Sequence, residues 1–381
     1  MTRTAAKPAT AGDIRAAVDA VAPFRLAEKW DSVGLQVGAE SAPGDRVLVA
    51  LEASADVVAE ARRRKCNVLL VHHPLIFRER KTFAEVDPVS RLANELIRAG
   101  ISLIAAHTNL DSTANGTNGV LADLLGLAPE RRFLRPAAPE AELAHFAVYV
   151  PHGHESKVID AIAAGGGGAI GNYSHCTYRV EGTGTFKPLA GANPFLGKVG
   201  ALEQAAEARI ECVVPVRGAE RLLASVRAAH PYEEMAYVLV PMLAHGAPRH
   251  GLGLAGVLPD APTLGALADR AKKALRIPAV QLVGDPGRKV RKVALCTGAG
   301  GEFVRTGAYG EADLFVTGEM SHHDAWEARE RGLAVLLVGH FASEAIVCPR
   351  LAQDTAAVLK SRGRTAKFTV STAERDPLAA G

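Results

Sequence analysis

Six residues whose side chains bind metal ions fall in three short clusters: His72-His73, His107 with Asp111, and His340 with Glu344. Imidazole and carboxylate together suit Zn, Fe, Mn or Ni better than Ca or Mg. A structural zinc site would show four closed ligands rich in cysteine, and no such cluster is present. Too few protein ligands to close the shells of two ions leaves positions for water or substrate, and open positions permit chemistry. An adjacent histidine pair inside a strand would point to opposite faces. At a strand end, where the chain turns into Pro74, both rings can enter one crevice and reach different ions. Taken alone, the pair reads more readily as two structural histidines; the other two clusters change that reading.

Each cluster follows or lies within an apolar run that reads as the end of a buried strand: NVLLVHHP (67–74), ISLIAAHTNLD (101–111) and AVLLVGHFASE (334–344). Ligands that far apart serve one site only if both ends of the chain build one domain. Residues 11–29 read as an amphipathic helix opened by Asp13, and RVLVALEAS (46–54) as a further strand. Helical stretches at 55–65 and 88–99 separate the apolar runs, the pattern of a sheet covered on both faces. After residue 290 the rhythm returns with KVALCTGAGG, DLFVTGEMSHH and a helix through Trp326. ARRRKCNVLLVHH (61–73) and ARERGLAVLLVGH (328–340) match at eight of thirteen positions, setting His73 against His340. The flanks therefore read as two related α/β halves of one metal-binding domain, 1–140 and 251–381.

Between them, 141–250 changes character: HFAVYVP (145–151), a helix from Glu155 to Ala164, a polar stretch with GTGTFKP (182–188), ARIECVVPV (208–216), a helix at 219–229 and MAYVLVP (235–241). That order is β-α-β-β-α-β, a ferredoxin-like α+β insert. The Gly165–Gly168 run lacks the Lys-Ser/Thr of a phosphate loop and reads as a turn. CTGAGG (296–301) lies between a strand and a helix, so its amides could receive a phosphate, although a plain strand-to-helix turn explains it equally well. Trp30-Asp31 reads either as a closure over the site, or as a core anchor followed by a helix-ending cap.

Bulk properties exclude several classes. A net charge of +3, with 48% hydrophobic and 22% charged residues, gives no footprint for direct nucleic-acid binding. Basic runs such as Arg62-Arg63-Arg64-Lys65 read as solvated helix ends. Five scattered cysteines without a CxxC pair point to reduced thiols. No apolar run spans a membrane and no apolar leader is visible, so a cytoplasmic protein is expected.

The blocks DSVGLQVG (31–38), VHHPLIF (71–77), AHTNLDS (106–112), TGEMSHHDA (317–325) and GHFASE (339–344) resemble the signatures of the NGG-interacting-factor-three-like family, also called GTP cyclohydrolase 1 type 2 homologs. The insert, with GTGTFKP and HPYEE (230–234), is similar to the PII-like or CutA-like domain of the longer bacterial members. The resemblance implies two divalent ions per chain, one on His73, Asp111 and Glu344, the other on His72, His340 and the same Glu344. It also implies a homohexamer and a hydrolase opening the imidazole ring of a guanine nucleotide. Such a reaction needs a proton donor, for which His107, His322 and His323 are candidates, with His107 and His323 carried forward as catalytic or as orienters of the ligands. A metal-binding or metal-delivery protein without turnover, and a regulatory scaffold, are the alternatives.

Overall fold

The structure, a computed structural model, describes residues 7–137, 143–242 and 248–378. The chain divides into two compact units, one formed by residues 1–137 and 248–381 and the other by 138–247. No helix among the described residues is long and apolar enough to cross a membrane.

In the first unit, strands Lys367–Val370, Arg46–Ala50, Val68–Val71, Ser102–Ala105 and Gly34–Val37 lie side by side in that order. The first four run parallel and Gly34–Val37 runs antiparallel. Val68–Val71 and Ser102–Ala105 are buried along their whole length. Alternate side chains feed opposite layers, as a two-residue period demands. Val47, Val49, Val68 and Leu70 pack with Ile14, Val18 and Leu351. Leu48, Ala50, Leu69 and Val71 pack with Val57, Val58, Leu92 and Leu96 on the other face. Capping fixes where those covering helices begin. Ser54 accepts from Val57 N to open Ala55–Arg63, and Asp87 accepts from Ser90 N with Pro88 in the first turn of Pro88–Ala99.

A second sheet in the same unit has the order Gln281–Val283, Ala334–Leu337, Leu314–Glu319, Lys292–Ala299, Gly251–Val257, Arg132–Pro136. Its three central strands, Ala334–Leu337, Leu314–Glu319 and Lys292–Ala299, are parallel. They are again covered on both sides, by Leu264, Leu267, Leu121 and Leu125 on one face and by Phe303, Val304 and Ala328 on the other.

The second unit holds four antiparallel strands in the order Tyr237–Pro241, Leu143–Pro151, Glu203–Pro215, Tyr178–Phe186. Helices Glu155–Ala164 and Ala219–Ala229 follow its first and third strands in the chain. Phe146, Val148, Ile162, Leu222 and Val226 are the centre of its core.

Some elements differ from the sequence reading. The first helix covers Ala11–Val21, not 11–29, and Phe24–Leu26 is a separate 3-10 turn. Pro23 ends it by disfavouring helical backbone at the residue before it. The strand expected to end at His340 stops at Leu337, and His340 opens the five-residue helix that ends with Glu344. Asp111 closes a short helix, Thr108–Asp111, after the strand Ser102–Ala105.

Glu60 ties the end of the chain to this framework. Its fully buried carboxylate accepts from Ser371 Oγ, from the amides of Thr372 and Ala373, and from Arg64 Nε. Burial alone would raise its pKa. The hydrogen bonds from Ser371, Thr372 and Arg64 outweigh burial and hold it at about 2 instead of 4.5. A lowered carboxylate pKa contributes stability above the unfolded value and loses it as pH falls through the folded one. Glu60→Ala should therefore cost roughly 3 kcal/mol near neutral pH, by urea denaturation. The deficit relative to wild type should shrink as pH falls from 4.5 towards 2. A constant deficit across that window would contradict this role.

Candidate metal centre

The parallel strands of both sheets deliver their carboxyl ends to one place, where open α/β sheets commonly bind ligands. His72 and His73 follow Val71, His107 precedes the helix Thr108–Asp111, and His340 and Glu344 lie on the helix after Ala334–Leu337. His73 Nε2 stands 2.8 Å from Glu344 Oε2 across 271 residues of sequence. The same oxygen lies 3.0 Å from His340 Nε2 and 3.9 Å from His72 Nε2. Asp111 Oδ1 lies 3.6 Å from His72 Nε2. The His107 ring is 5.1 Å from that of His72 and 5.6 Å from that of His73.

Among the described residues, two groups of atoms are close enough to share an ion: His72, His73 and His107, and His73, His340 and Glu344. The closest approaches thus join His73 to His340 and His72 to Asp111. The resemblance pairs them the other way, His73 with Asp111 and His72 with His340.

The histidines share an arrangement. His72 Nδ1 lies 2.8 Å from Ala106 O, His107 Nδ1 2.8 Å from Asp31 Oδ1, and His340 Nδ1 3.1 Å from Glu319 Oε1. His73 Nδ1 faces Glu52 at 3.8 Å. An acceptor on Nδ1 fixes the ring and leaves Nε2 as the outward ligand, the usual support of a metal-binding imidazole. His72 Nε2 is buried with no hydrogen-bond partner, which costs about 1–3 kcal/mol unless something binds there. Gly298 completes the cradle, because a Cβ there would stand 2.2 Å from Glu344 Oε1. Buried imidazole and carboxylate groups arranged in this way could hold a metal ion.

The charge states follow from burial and neighbours. Burial pushes His72 down to about 3, so it is neutral at ordinary pH. Burial acts the same way on His73, but its hydrogen bond to Glu344 and the nearby Glu52 carboxylate prevail and raise it to about 9. The Glu344 hydrogen bond likewise lifts His340 to about 9 against burial. Burial, then the Glu344 charge, raises Asp111 to about 7. Glu344 itself is held well below the usual range: burial opposes this, and its bonds to His340 and His73 outweigh burial.

Several sequence expectations resolve at this site. Asp31 ends no helix, since the preceding 3-10 turn is capped at Ala27. Its buried carboxylate accepts from the amide and hydroxyl of Thr108 and fixes His107. Trp30 is 60% exposed, so it is no core anchor, and its ring meets Phe77 and His107 edge-on. Three of the CTGAGG amides are already bonded, Thr297 N to Asn118 Oδ1, Gly298 N to Ser343 Oγ and Gly300 N to Glu319 O, as in a strand-to-helix turn. His322 and His323 are exposed at the start of helix His322–Glu330 and contact each other, with no contact to the cluster among the described residues. Sequence spacing does not mark Glu52 or Glu319 as parts of the site, and it offers Asp31 and Gly298 other roles than the ones they have here. A carboxylate bonded to Nδ1 carries no sequence spacing of its own.

On one side the cluster opens into a cleft of about 1340 Å³, bordered at this end by Glu52, His73, Glu319 and His340. At neutral pH a divalent ion binding to Nε2 of His73 and His340 must displace their protons. Uptake should release roughly two protons per chain near neutral pH and tighten as pH rises, levelling off above about 9. Calorimetric titration with zinc in buffers of different ionisation enthalpy measures this. Heats independent of buffer would refute it.

The Duf34/NIF3 (NGG1p interacting factor 3) family model matches residues 9–377. A Mycobacterium tuberculosis protein named GTP cyclohydrolase 1 type 2 homolog is 39% identical over 369 residues, covering 96% of this chain and 95% of the relative. One of the same name from Halalkalibacterium halodurans is 37% identical over 355 residues, with 93% and 94% covered. The crystal structure of a Bacillus cereus protein related to NIF3 superposes with a TM-score of 0.79 at 34% identity, over 98% of this chain and 100% of that one.

Proposed function

Since this chain belongs to the Duf34/NIF3 family, we propose that it is a dinuclear metal-dependent hydrolase acting on a nucleotide or related heterocycle. The observation that carries the reading is the convergence of His72, His73 and His340 on a single oxygen of Glu344, with Asp111 beside His72. His72 and Asp111 would hold one ion, His73 and His340 the other, and Glu344 both. Two such ions supply Lewis acidity and a nucleophile at neutral pH.

The protein's own groups have defined tasks in this reading. Asp31 keeps His107 oriented with Nε2 free, so His107 is the proton donor, a role for which exposed His323 is less well placed. Glu52 and Glu319 orient His73 and His340. The names of the relatives point to GTP as the substrate.

The flanks would be related halves of one domain. Ala55–Arg63 leading into Val68–Val71, and His322–Glu330 leading into Ala334–Leu337, are the same helix–strand unit with a histidine after each strand. The insert would be ferredoxin-like, of the PII or CutA kind. Its strands, numbered in chain order, stand as four, one, three, two, as that fold requires. A homohexamer would cover the exposed Phe77, Phe83 and Val86. The free state of all five cysteines supports a reducing, cytoplasmic setting.

Asp111→Asn and Glu344→Gln should each lower kcat on the productive nucleotide by roughly a hundredfold or more, with a circular dichroism spectrum like that of wild type. Unchanged rates would remove the centre from the chemistry. Bound metal without turnover across a nucleotide panel would instead identify a metal-binding or delivery protein.

A further inference from the structure

The cleft beside the metal cluster is bordered by a guanidinium that no group among the described residues uses. Its walls are largely apolar, with Leu275, Ile277, Val280, Phe341 and Ile346 among them, and Arg276 borders it. Arg375 borders it too, but donates to the carbonyls of Thr372 and Glu374. Of the acidic neighbours, Glu52 and Glu319 face His73 and His340, and Asp376 accepts from Leu378 N. Arg276 has no hydrogen bond or ion pair from its side chain among the described residues.

Its backbone is one of four non-glycine positions with positive φ among the described residues, with Lys65, His175 and Ala261, and of the four it is the one that borders this cleft. Three helices end on a residue in the left-handed region, and two of those residues are glycines, Gly100 and Gly126. The third is Arg276, at φ 57° and ψ 41°, closing Leu264–Leu275. Only glycine adopts this conformation without a Cβ penalty, so the chain keeps an arginine where glycine would be less strained. Strain retained beside a candidate active site points to use of the side chain.

We propose that Arg276 is the anion-recognition residue of this cleft, holding the phosphate of a phosphorylated ligand whose apolar or planar body lies along the walls towards the metal cluster. The inference rests on the reading of that cluster as a substrate-binding metal centre. A guanidinium presents a planar fork of donors matched to phosphate oxygens and gives strong charge-assisted hydrogen bonds. The apolar walls accept the remainder of the ligand, as in most small-molecule sites. Arg276 would thereby select phosphorylated ligands over their dephosphorylated counterparts.

The test is equilibrium binding of guanosine 5′-monophosphate and guanosine to the full-length, metal-loaded protein by calorimetry, for wild type, Arg276→Gly and Arg276→Lys. Wild type should prefer the monophosphate by roughly tenfold or more. Arg276→Gly should lose most of that preference, bind guanosine as wild type does, retain its metal, and show an unchanged or higher Tm because glycine relieves the backbone. Arg276→Lys should keep part of the preference through its charge. Equal monophosphate affinity in wild type and Arg276→Gly, or no preference in wild type, would overturn the proposal. Turnover measured on the same samples separates the two readings. Turnover with a KM unaffected by Arg276→Gly refutes the arginine's role and leaves the hydrolase standing. A lost preference without turnover of any nucleotide in a panel that includes GTP upholds the arginine and refutes the hydrolase.

Discussion

The first unit is organised around one buried carboxylate. Glu344 is almost wholly enclosed, and an unpaired carboxylate at such a depth would cost several kcal/mol. Its partners are His340, four residues away, and His73, which the chain supplies 271 residues earlier. The pairing is possible only because the parallel strands of two separate sheets end at the same place. The short helix His340–Glu344 lies directly after its strand, and Gly298 leaves room for Oε1 where any side chain would collide. Remove that convergence and the carboxylate, the orphaned Nε2 of His72 and the raised Asp111 are all left without compensation.

The same constraint explains the uniform setting of the histidines. Each ring has an acceptor near Nδ1, and each acceptor comes from a different segment: Ala106, Glu52, Asp31 and Glu319. Such partners restrict ring rotation and fix which nitrogen faces inward. Glu344 is held ionised between His73 and His340, both raised to about 9 by its hydrogen bonds, with His72 neutral beside it.

Much of this was legible in the sequence, for specific reasons. Strands such as VLLV, buried on both faces, are continuous apolar runs, and the helices at 55–65 and 88–99 carry strong capping signals, so their ends fall within about two residues of expectation. The ligand clusters stood out because each follows such a run. What escaped was set by tertiary contact. Gly34–Val37, Arg132–Pro136 and Gly251–Val257 are sheet strands rich in glycine or charge, and pairing alone makes them strands. Asp31 was ambiguous because its role depends on meeting Thr108 and His107 some 76 residues later. Arg276 lay in no recognised motif; only its backbone angle and its place in the cleft distinguish it.

The central claim is that the cluster on Glu344 holds two ions. Its most direct test is metal content per chain by inductively coupled plasma mass spectrometry, on protein purified without added metal or a histidine tag, beside Glu344→Ala. The account predicts about two first-row ions per chain in the wild type and their loss in the variant. Wild-type protein that carries no metal and takes up none on reconstitution would contradict it, and would leave these histidines as structural groups.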